Sequence, residues 1–294
     1  MIRRTTGEKI FIALNLAFLT LFAMLTIIPM LYVLKMSLEV GSSRGAALSL
    51  LPAKPSLIYF RMLINKDNIY VSFFNTIQIT AIGTALSLTL TSMCAYPISY
   101  RKLPGNKIFT YMLIVPMMFS GGIVPGYLLI KYLGIMNTMW SLIIPGCIGG
   151  WNMLIIRNYY WSIPDSLGES ARIDGASEFM IYRKIMLPLS KPVLAAIGLI
   201  IGIGYYNSYF AALMYISDYK KYPFQLVLRE MITLIQNMDN LMLMSGGNKE
   251  MLADINTENV SSAMIIVSVI PIMLVYPFLQ KYFIKGIMIG SIKG

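Results

Sequence analysis

Four carboxylates crowd one polar stretch in the middle of the chain: Asp165, Glu169, Asp174 and Glu178. Paired acids are the minimum equipment for general acid–base work on a glycosidic bond, but the groups that would support such chemistry are missing. The sequence has no histidine, the side chain that most readily moves a proton or binds a metal near neutral pH. Cys94 and Cys147 lie inside apolar runs, far from any ligand-like spacing, and read as packing residues rather than a disulfide or zinc site. No G-x-x-x-x-G-K-[ST] phosphate loop occurs; Gly246-Gly247-Asn248-Lys249 and Gly290-Ser291-Ile292-Lys293 have the wrong spacing. The residues thus predict no catalytic group, no metal and no cofactor bound by this chain. A membrane-embedded enzyme such as a glycan transferase would have only those four acids to work with.

The elements that hold this polar stretch are apolar. The 294 residues are 57% hydrophobic and 13% charged, against roughly 25% charged in an ordinary soluble domain. Charge-free runs define six expected membrane spans, at about 10–35, 70–100, 108–131, 137–157, 192–216 and 259–281. Each is long enough for a helix to cross about 30 Å of hydrocarbon, and lipid offers a bare peptide group no partner, so such runs must be helical. The fold class expected is an all-α membrane protein, one membrane domain over residues 1–294. The first run is too long for a cleaved signal peptide and no small-x-small site follows it, so it is expected to be retained.

Twenty-four Lys and Arg face thirteen Asp and Glu, a formal net charge of +11. In a soluble chain that balance would suggest nucleic acid. Here the basic residues sit at the ends of apolar runs, where they meet anionic headgroups, and nucleic acid is excluded as a partner. The N-terminal Arg3, Arg4 and Lys9, the turn from Arg101 to Lys107, and the terminal Lys281, Lys285 and Lys293 are basic, which places both termini in the cytoplasm. The opposite loops, about 36–69 and 217–258, carry most of the acids, among them Glu39, Asp218, Glu230 and Glu258. Residues 223–244 are periodic enough for a helix on the outer face, followed by a flexible turn at 245–249.

On this topology the polar stretch, about 158–191, lies in the cytoplasm between spans four and five. Ser162 with Asp165 predicts a helix start, with Pro164 in the first turn. Asp174-Gly175-Ala176 then breaks the helix, and a second runs from Ser177 to about Leu187, ended by Pro188 and Pro192. Leu167, Ala171, Ile173 and Ala176 offer an apolar surface to a partner, ringed by Glu169, Arg172, Asp174 and Glu178. The plainer alternative is a solvated connector, though a segment this long with two helix signals is usually functional. None of the spans holds an acid, histidine or arginine near its centre to act as an ion relay. Energy for transport must therefore come from outside the chain, or the protein is a passive channel.

Glu169-Ser170-Ala171, Ile173-Asp174-Gly175-Ala176, Ile185, Leu187-Pro188 and Pro192 resemble the "EAA" loop of ABC-importer permeases, E-A-A-x-x-D-G-A followed about eight residues on by I-x-L-P. Phe119 to Pro125, Tyr205 to Phe210, Tyr222-Pro223-Phe224-Gln225 and Lys281 to Gly286 are similar to the maltose-type carbohydrate branch, closest to a subgroup linked with complex oligosaccharides. Ser170 stands where that pattern has Ala, and Tyr206 where it has Trp. The resemblance implies a type I ABC-importer permease fold of six transmembrane helices in a bacterial cell membrane, with a helix-turn-helix coupling element between helices 4 and 5. It implies two cytoplasmic ATPase subunits that carry the ATP and Mg, a second homologous permease in a heterodimer, and an extracellular solute-binding protein. Glu169, Ser170, Ala171, Asp174, Gly175 and Ala176 would be the ATPase-coupling residues. A permease for peptides or amino acids remains the alternative, because the loop motif is shared across substrates.

Candidate residues of the substrate path are less sharply marked. Gly121 and Gly122, and Pro145-Gly146 with Gly149-Gly150, suggest either discontinuous helices lining a cavity or ordinary kinks and close packing. Asn152 and Asn207 are polar side chains in apolar runs. Tyr206 and Tyr209 have rings suited to stacking on a sugar, or to anchoring at the membrane interface.

Overall fold

The computed structural model describes residues 5–40, 49, 51–65, 68–119, 121–245 and 257–291. Helices dominate, and the extended pairing among the described residues is the isolated antiparallel bridge Glu39–Pro55. In chain order come α1 (Thr6–Leu38), α2 (Ile58–Ile64), α3 (Ile69–Ser99), α4 (Asn106–Met118) and α5 (Ile123–Tyr132). Next are α6 (Trp140–Ile143), α7 (Gly150–Tyr160), α8 (Asp165–Ile173), α9 (Glu178–Ile181) and α10 (Leu187–Leu189). The last four are α11 (Lys191–Tyr206), α12 (Tyr209–Tyr215), α13 (Phe224–Ser245) and α14 (Thr257–Ser291).

Three helices are long and apolar enough to cross a membrane unaided: α1, α3 and the Glu258–Pro277 part of α14. Two bent pairs pass the same test together, α4 with α5 and the 178–189 segment with α11, the latter at 80°. The count is thus three, or up to five if each bent pair is one span, and the six charge-free runs do not become six unbroken helices. The fourth run differs most. Pro145 and Gly146 sit in a 3-10 turn, Ile144–Gly146, and helix resumes only after an extended Gly149 (φ −103, ψ 122). The third breaks where Gly122 takes a left-handed φ of 87 ahead of α5, and the fifth at Asn207 and Ser208. The outer segment expected as a helix is one, α13, and runs 22 residues. The turn expected beyond Ser245 lies outside the described residues, as do Arg3, Arg4 and Lys293.

The chain divides into two compact units, residues 1–66 with 230–271, and residues 67–229 with 272–294. In the first, α1 opens with a capping box in which the Thr5 side chain accepts from the Glu8 backbone and the Glu8 carboxylate accepts from the Thr5 backbone. From Ile10 to Leu34 its large apolar side chains stay exposed, as a surface meant for hydrocarbon must. At its far end the environment inverts. Lys35 and Glu39 are 2% and 3% exposed and 3.4 Å apart, the Glu39 carboxylate accepts from Ala53 N at 3.4 Å, and its carbonyl accepts from the Asn259 amide.

In the second unit α3 is the centre. Ser72, Thr76, Ile79, Gly83, Ser87, Thr91 and Ala95 are buried along one stripe of it, spaced three and four apart so that they share a face. Small residues there let neighbouring backbones come close, the usual solution where lipid gives no hydrophobic drive between helices. A Cβ on Gly83 would fall 2.9 Å from the Tyr205 ring of α11. The space is used: the Tyr205 hydroxyl shares a 2.8 Å hydrogen bond with Ser87 and donates to the Ile143 carbonyl at 3.0 Å. Across from α3, Gly198 meets Leu88 and Gly202 meets Thr84. Gly150 serves α4 and α7 similarly, since its Cβ would lie 2.8 Å from Met117 Sδ and 2.9 Å from the Leu113 carbonyl.

Gly83→Val should force Tyr205 out of its place and destabilise the protein by about 1–3 kcal/mol. Tyr205→Phe, which keeps the ring and loses the hydroxyl, should cost about 1 kcal/mol. Thermal unfolding in detergent would check both, and equal melting of the two variants would contradict the ordering.

Candidate functional site

The polar insert is a bent knuckle whose local geometry explains its sequence. α8 begins after Pro164, which takes the N-cap position. Ser162 does not cap it, contrary to expectation: its hydroxyl donates back to the Tyr159 carbonyl at 2.7 Å, closing the preceding helix instead. α8 ends in a paired bond pattern. Ala176 N donates to the Ala171 carbonyl at 2.9 Å, Gly175 N to the Arg172 carbonyl at 3.0 Å, and Gly175 holds φ +80. This is a Schellman cap, with glycine at the left-handed position and the flanking small residues Ala171 and Ala176 facing each other across it. The spacing A-x-x-D-G-A is therefore the spacing of a helix terminator. Ser177 caps α9 by accepting from Met180 N.

Pro188 does not end the second helix. The helix widens into a π segment, Tyr182–Met186, passes through α10 and turns only at Ser190. Pro188 has no N–H to return to the preceding turn and its ring crowds that turn, so a widened stretch, in which Leu187 N reaches back to the Tyr182 carbonyl, accommodates it. Pro192 opens α11 in its first turn.

One charge cluster locks the bend. Arg172 Nε donates to Glu178 Oε1 at 2.6 Å and Arg172 Nη2 to Oε2 at 3.3 Å. From the end of α3, Tyr96 and Tyr100 donate to the same Oε2 at 2.8 and 3.2 Å and share a 2.8 Å bond with each other. The Arg172 guanidinium also donates to the Tyr100 hydroxyl and lies 5.0 Å from that ring's centre. The hydrogen bonds from Arg172 hold the Glu178 carboxyl below its ordinary range, against partial burial, which pushes the other way. The Glu178 bond in turn raises the Arg172 guanidinium.

Two further ties fix the knuckle's ends. Ser92 shares hydrogen bonds with Tyr160 at 2.7 Å and with Tyr182 at 3.0 Å. The Trp161 indole donates to the Ser99 carbonyl, its ring faced by Arg157 and Arg101 at 4.3 and 5.0 Å. Asn106 serves the neighbouring Ile98 and Tyr100 carbonyls at 2.8 and 2.7 Å, so the carbonyls that α3 leaves bare at its end are taken up by side chains.

Of the expected coupling residues, Glu169, Ser170, Asp174 and Gly175 lie exposed on the knuckle, while Ala171 and Ala176 are half-buried against the protein's own core. The exposed apolar groups are instead Leu167, Ile173 and, unforeseen from the sequence, Phe179 and Met180; Ile173 is 86% exposed. Arg172, Glu178, Tyr96 and Tyr100 were also missed as a group, since nothing in a tyrosine pair at i, i+4 signals a carboxylate 82 residues away.

The expected path residues separate. Gly121 is exposed with open space around it, and Gly122 starts α5. Asn152 is half-buried beside Gly149, and Tyr206 is buried at 7%. Asn207 and Tyr209 come together with two residues of α13: Gln225 Nε2 donates to Asn207 Oδ1 at 3.5 Å, and the Arg229 guanidinium lies 5.7 Å from the Tyr209 ring centre.

A family model described as the binding-protein-dependent transport system inner membrane component matches residues 4–289. The polygalacturonan/rhamnogalacturonan transport system permease protein YtcP of Bacillus subtilis (strain 168) is 37% identical over 291 residues, 98% of this chain and 99% of its own length. The arabinooligosaccharides transport system permease protein AraQ of Halalkalibacterium halodurans is 27% identical, over 95% of this chain and 93% of that one. A crystal structure of a bacterial ABC transporter involved in the import of the acidic polysaccharide alginate contains a chain that superposes with a TM-score of 0.81 at 29% identity, covering 96% of this chain and 100% of that chain.

Two outcomes test the knuckle. Gly175 has φ +80 with nothing within 4 Å of an added Cβ, so Gly175→Ala meets backbone strain alone, about 1–2 kcal/mol. Gly175→Asn should be milder, and Gly175→Pro, which can take neither the angle nor the bond to Arg172, should open the knuckle to protease. Second, a depressed carboxyl contributes stability above its ordinary pKa and loses it in acid. Protease protection of the 165–190 segment should hold from neutral pH down to the ordinary value of 4.5 and fall only below it, with Glu178→Gln removing the acid step.

Proposed function

Because the chain belongs to the family of binding-protein-dependent transport system inner membrane components, we propose that it forms half of the path of an ATP-driven importer, with an acidic oligosaccharide as cargo. The chain is a transport permease of the carbohydrate-importing kind rather than an enzyme. The observation that carries the choice of cargo is likeness over nearly the whole chain to two proteins of acidic glycan uptake, one named for polygalacturonan and rhamnogalacturonan and one for alginate.

On this reading both termini and the knuckle face the cytoplasm. Leu167, Ile173, Phe179 and Met180 sit in a cleft of one ATPase subunit, with Glu169, Ser170 and Asp174 supplying polar contacts around them. Two such subunits hold the ATP and Mg, and a second, different permease completes the path. A solute-binding protein delivers the cargo to the outer loops. Gly175 keeps the knuckle bent, and Ala171 and Ala176 let it fold closely on itself.

Asn207, Tyr209, Gln225 and Arg229 together have the chemistry a uronic acid chain needs. A guanidinium takes a carboxylate bidentately, an aromatic face stacks on a sugar ring, and amides serve hydroxyl groups. Gly121, Gly122, Asn152 and Tyr206 remain proposed path residues on helix breaks and polarity. The likeness to an arabinooligosaccharide permease supports a second reading, a neutral oligosaccharide.

The test is uptake by the full complex in liposomes. ATP-dependent accumulation of oligogalacturonides is expected, and accumulation of peptides instead would overturn the reading. Arg229→Ala should lower oligogalacturonide uptake roughly tenfold, the size of one charged hydrogen bond, and leave arabino-oligosaccharide uptake unchanged. Loss of both alike would argue against Arg229 as the carboxylate contact.

A further inference from the structure

We propose that α3 is the rod that carries the signal between the two faces of the membrane, gripping the 218–224 loop at one end and the knuckle at the other, with Tyr96 and Tyr100 as the positioning residues that hold Glu178. The proposal rests on the importer reading above and adds to it a route and residues that the loop motif does not contain.

Both grips are made of directed hydrogen bonds. At one end Asn75 Nδ2 donates to the Lys220 and Tyr222 carbonyls at 2.9 and 3.2 Å. Thr76 Oγ1 accepts from Phe224 N at 2.7 Å, and the Phe73 ring meets Phe224 edge-on at 5.7 Å. At the other end Tyr96 and Tyr100 hold the Glu178 carboxylate, and Ser92 holds Tyr182. From Thr76 to Tyr96 the helix rises about 30 Å, the thickness of the hydrocarbon layer. Between the grips α3 is unbroken, whereas α4/α5, α6/α7 and α11/α12 are each interrupted. An interrupted helix absorbs a displacement at its break, and a continuous one passes it on. The stripe of small residues on α3 leaves few bulky side chains to resist movement against α11.

A role in positioning differs from a role in folding by what it moves. The double variant Tyr96→Phe/Tyr100→Phe keeps both rings and removes only the phenol hydroxyls. In the reconstituted complex, basal ATP hydrolysis should be unchanged, while stimulation by loaded binding protein, and uptake with it, fall about tenfold. Asn75→Ala/Thr76→Val should give the same signature from the opposite end, and Tyr132→Phe, on a residue 88% exposed, none. The exchange Arg172→Glu/Glu178→Arg restores an ion pair but not the phenol–carboxylate bonds, and should stay uncoupled. Normal stimulation in either double variant, full recovery in the exchange, or loss of basal hydrolysis in proportion to stimulation would overturn the proposal. A wild-type complex that no loaded binding protein stimulates would instead remove the importer reading beneath it.

Discussion

In hydrocarbon, a peptide group without an internal partner has none at all, and each place where this chain stops being helical is built around that fact. The end of α3 hands its carbonyls to Asn106 and Trp161. Asn137, itself left-handed at φ 59, takes up the backbone after α12 by accepting from Ser217 and Asp218. Thr5 and Glu8 satisfy the start of α1. Where helices approach closely, glycine removes the side chain that would keep the backbones apart. The polar and small residues of an otherwise apolar sequence are concentrated at these duties.

The same accounting separates what the sequence reveals from what it conceals. Charge-free length reports that a segment can lie in lipid, and α1, α3 and α14 were legible for that reason. It does not report continuity, because a run such as 137–157 stays apolar through Pro145 and Gly149 while its backbone leaves the helix. The knuckle was legible in its bend, since the spacing of Ala171, Gly175 and Ala176 is dictated by local bonds. It was not legible in its attachment. Glu178 finds Tyr96 and Tyr100 across a long stretch of chain, and phenols near a membrane surface have many ordinary uses. Nor could sequence assign inward and outward faces: Ala171 and Ala176 turned toward the core, leaving Phe179 and Met180 outside.

The candidate site is accordingly two places with different physics. The knuckle is water-exposed, charged and held by many bonds to few atoms, so its shape is well defined while its outer face stays bare. The Asn207, Tyr209, Gln225 and Arg229 cluster is looser, with one long hydrogen bond and one ring contact. Rigid attachment suits a part that transmits force, and loose polar contacts suit a part that must release what it holds.

The widened turn at Tyr182–Met186 has a consequence for heredity as much as for mechanics. Relative to an uninterrupted α-helix, accommodating one extra residue there rotates everything downstream by about 100°, which sets the azimuth at which α11 presents its glycines to α3. A codon lost from this segment would leave every contacting residue present yet turn the next crossing to the wrong compass bearing, so length here is constrained more tightly than spelling.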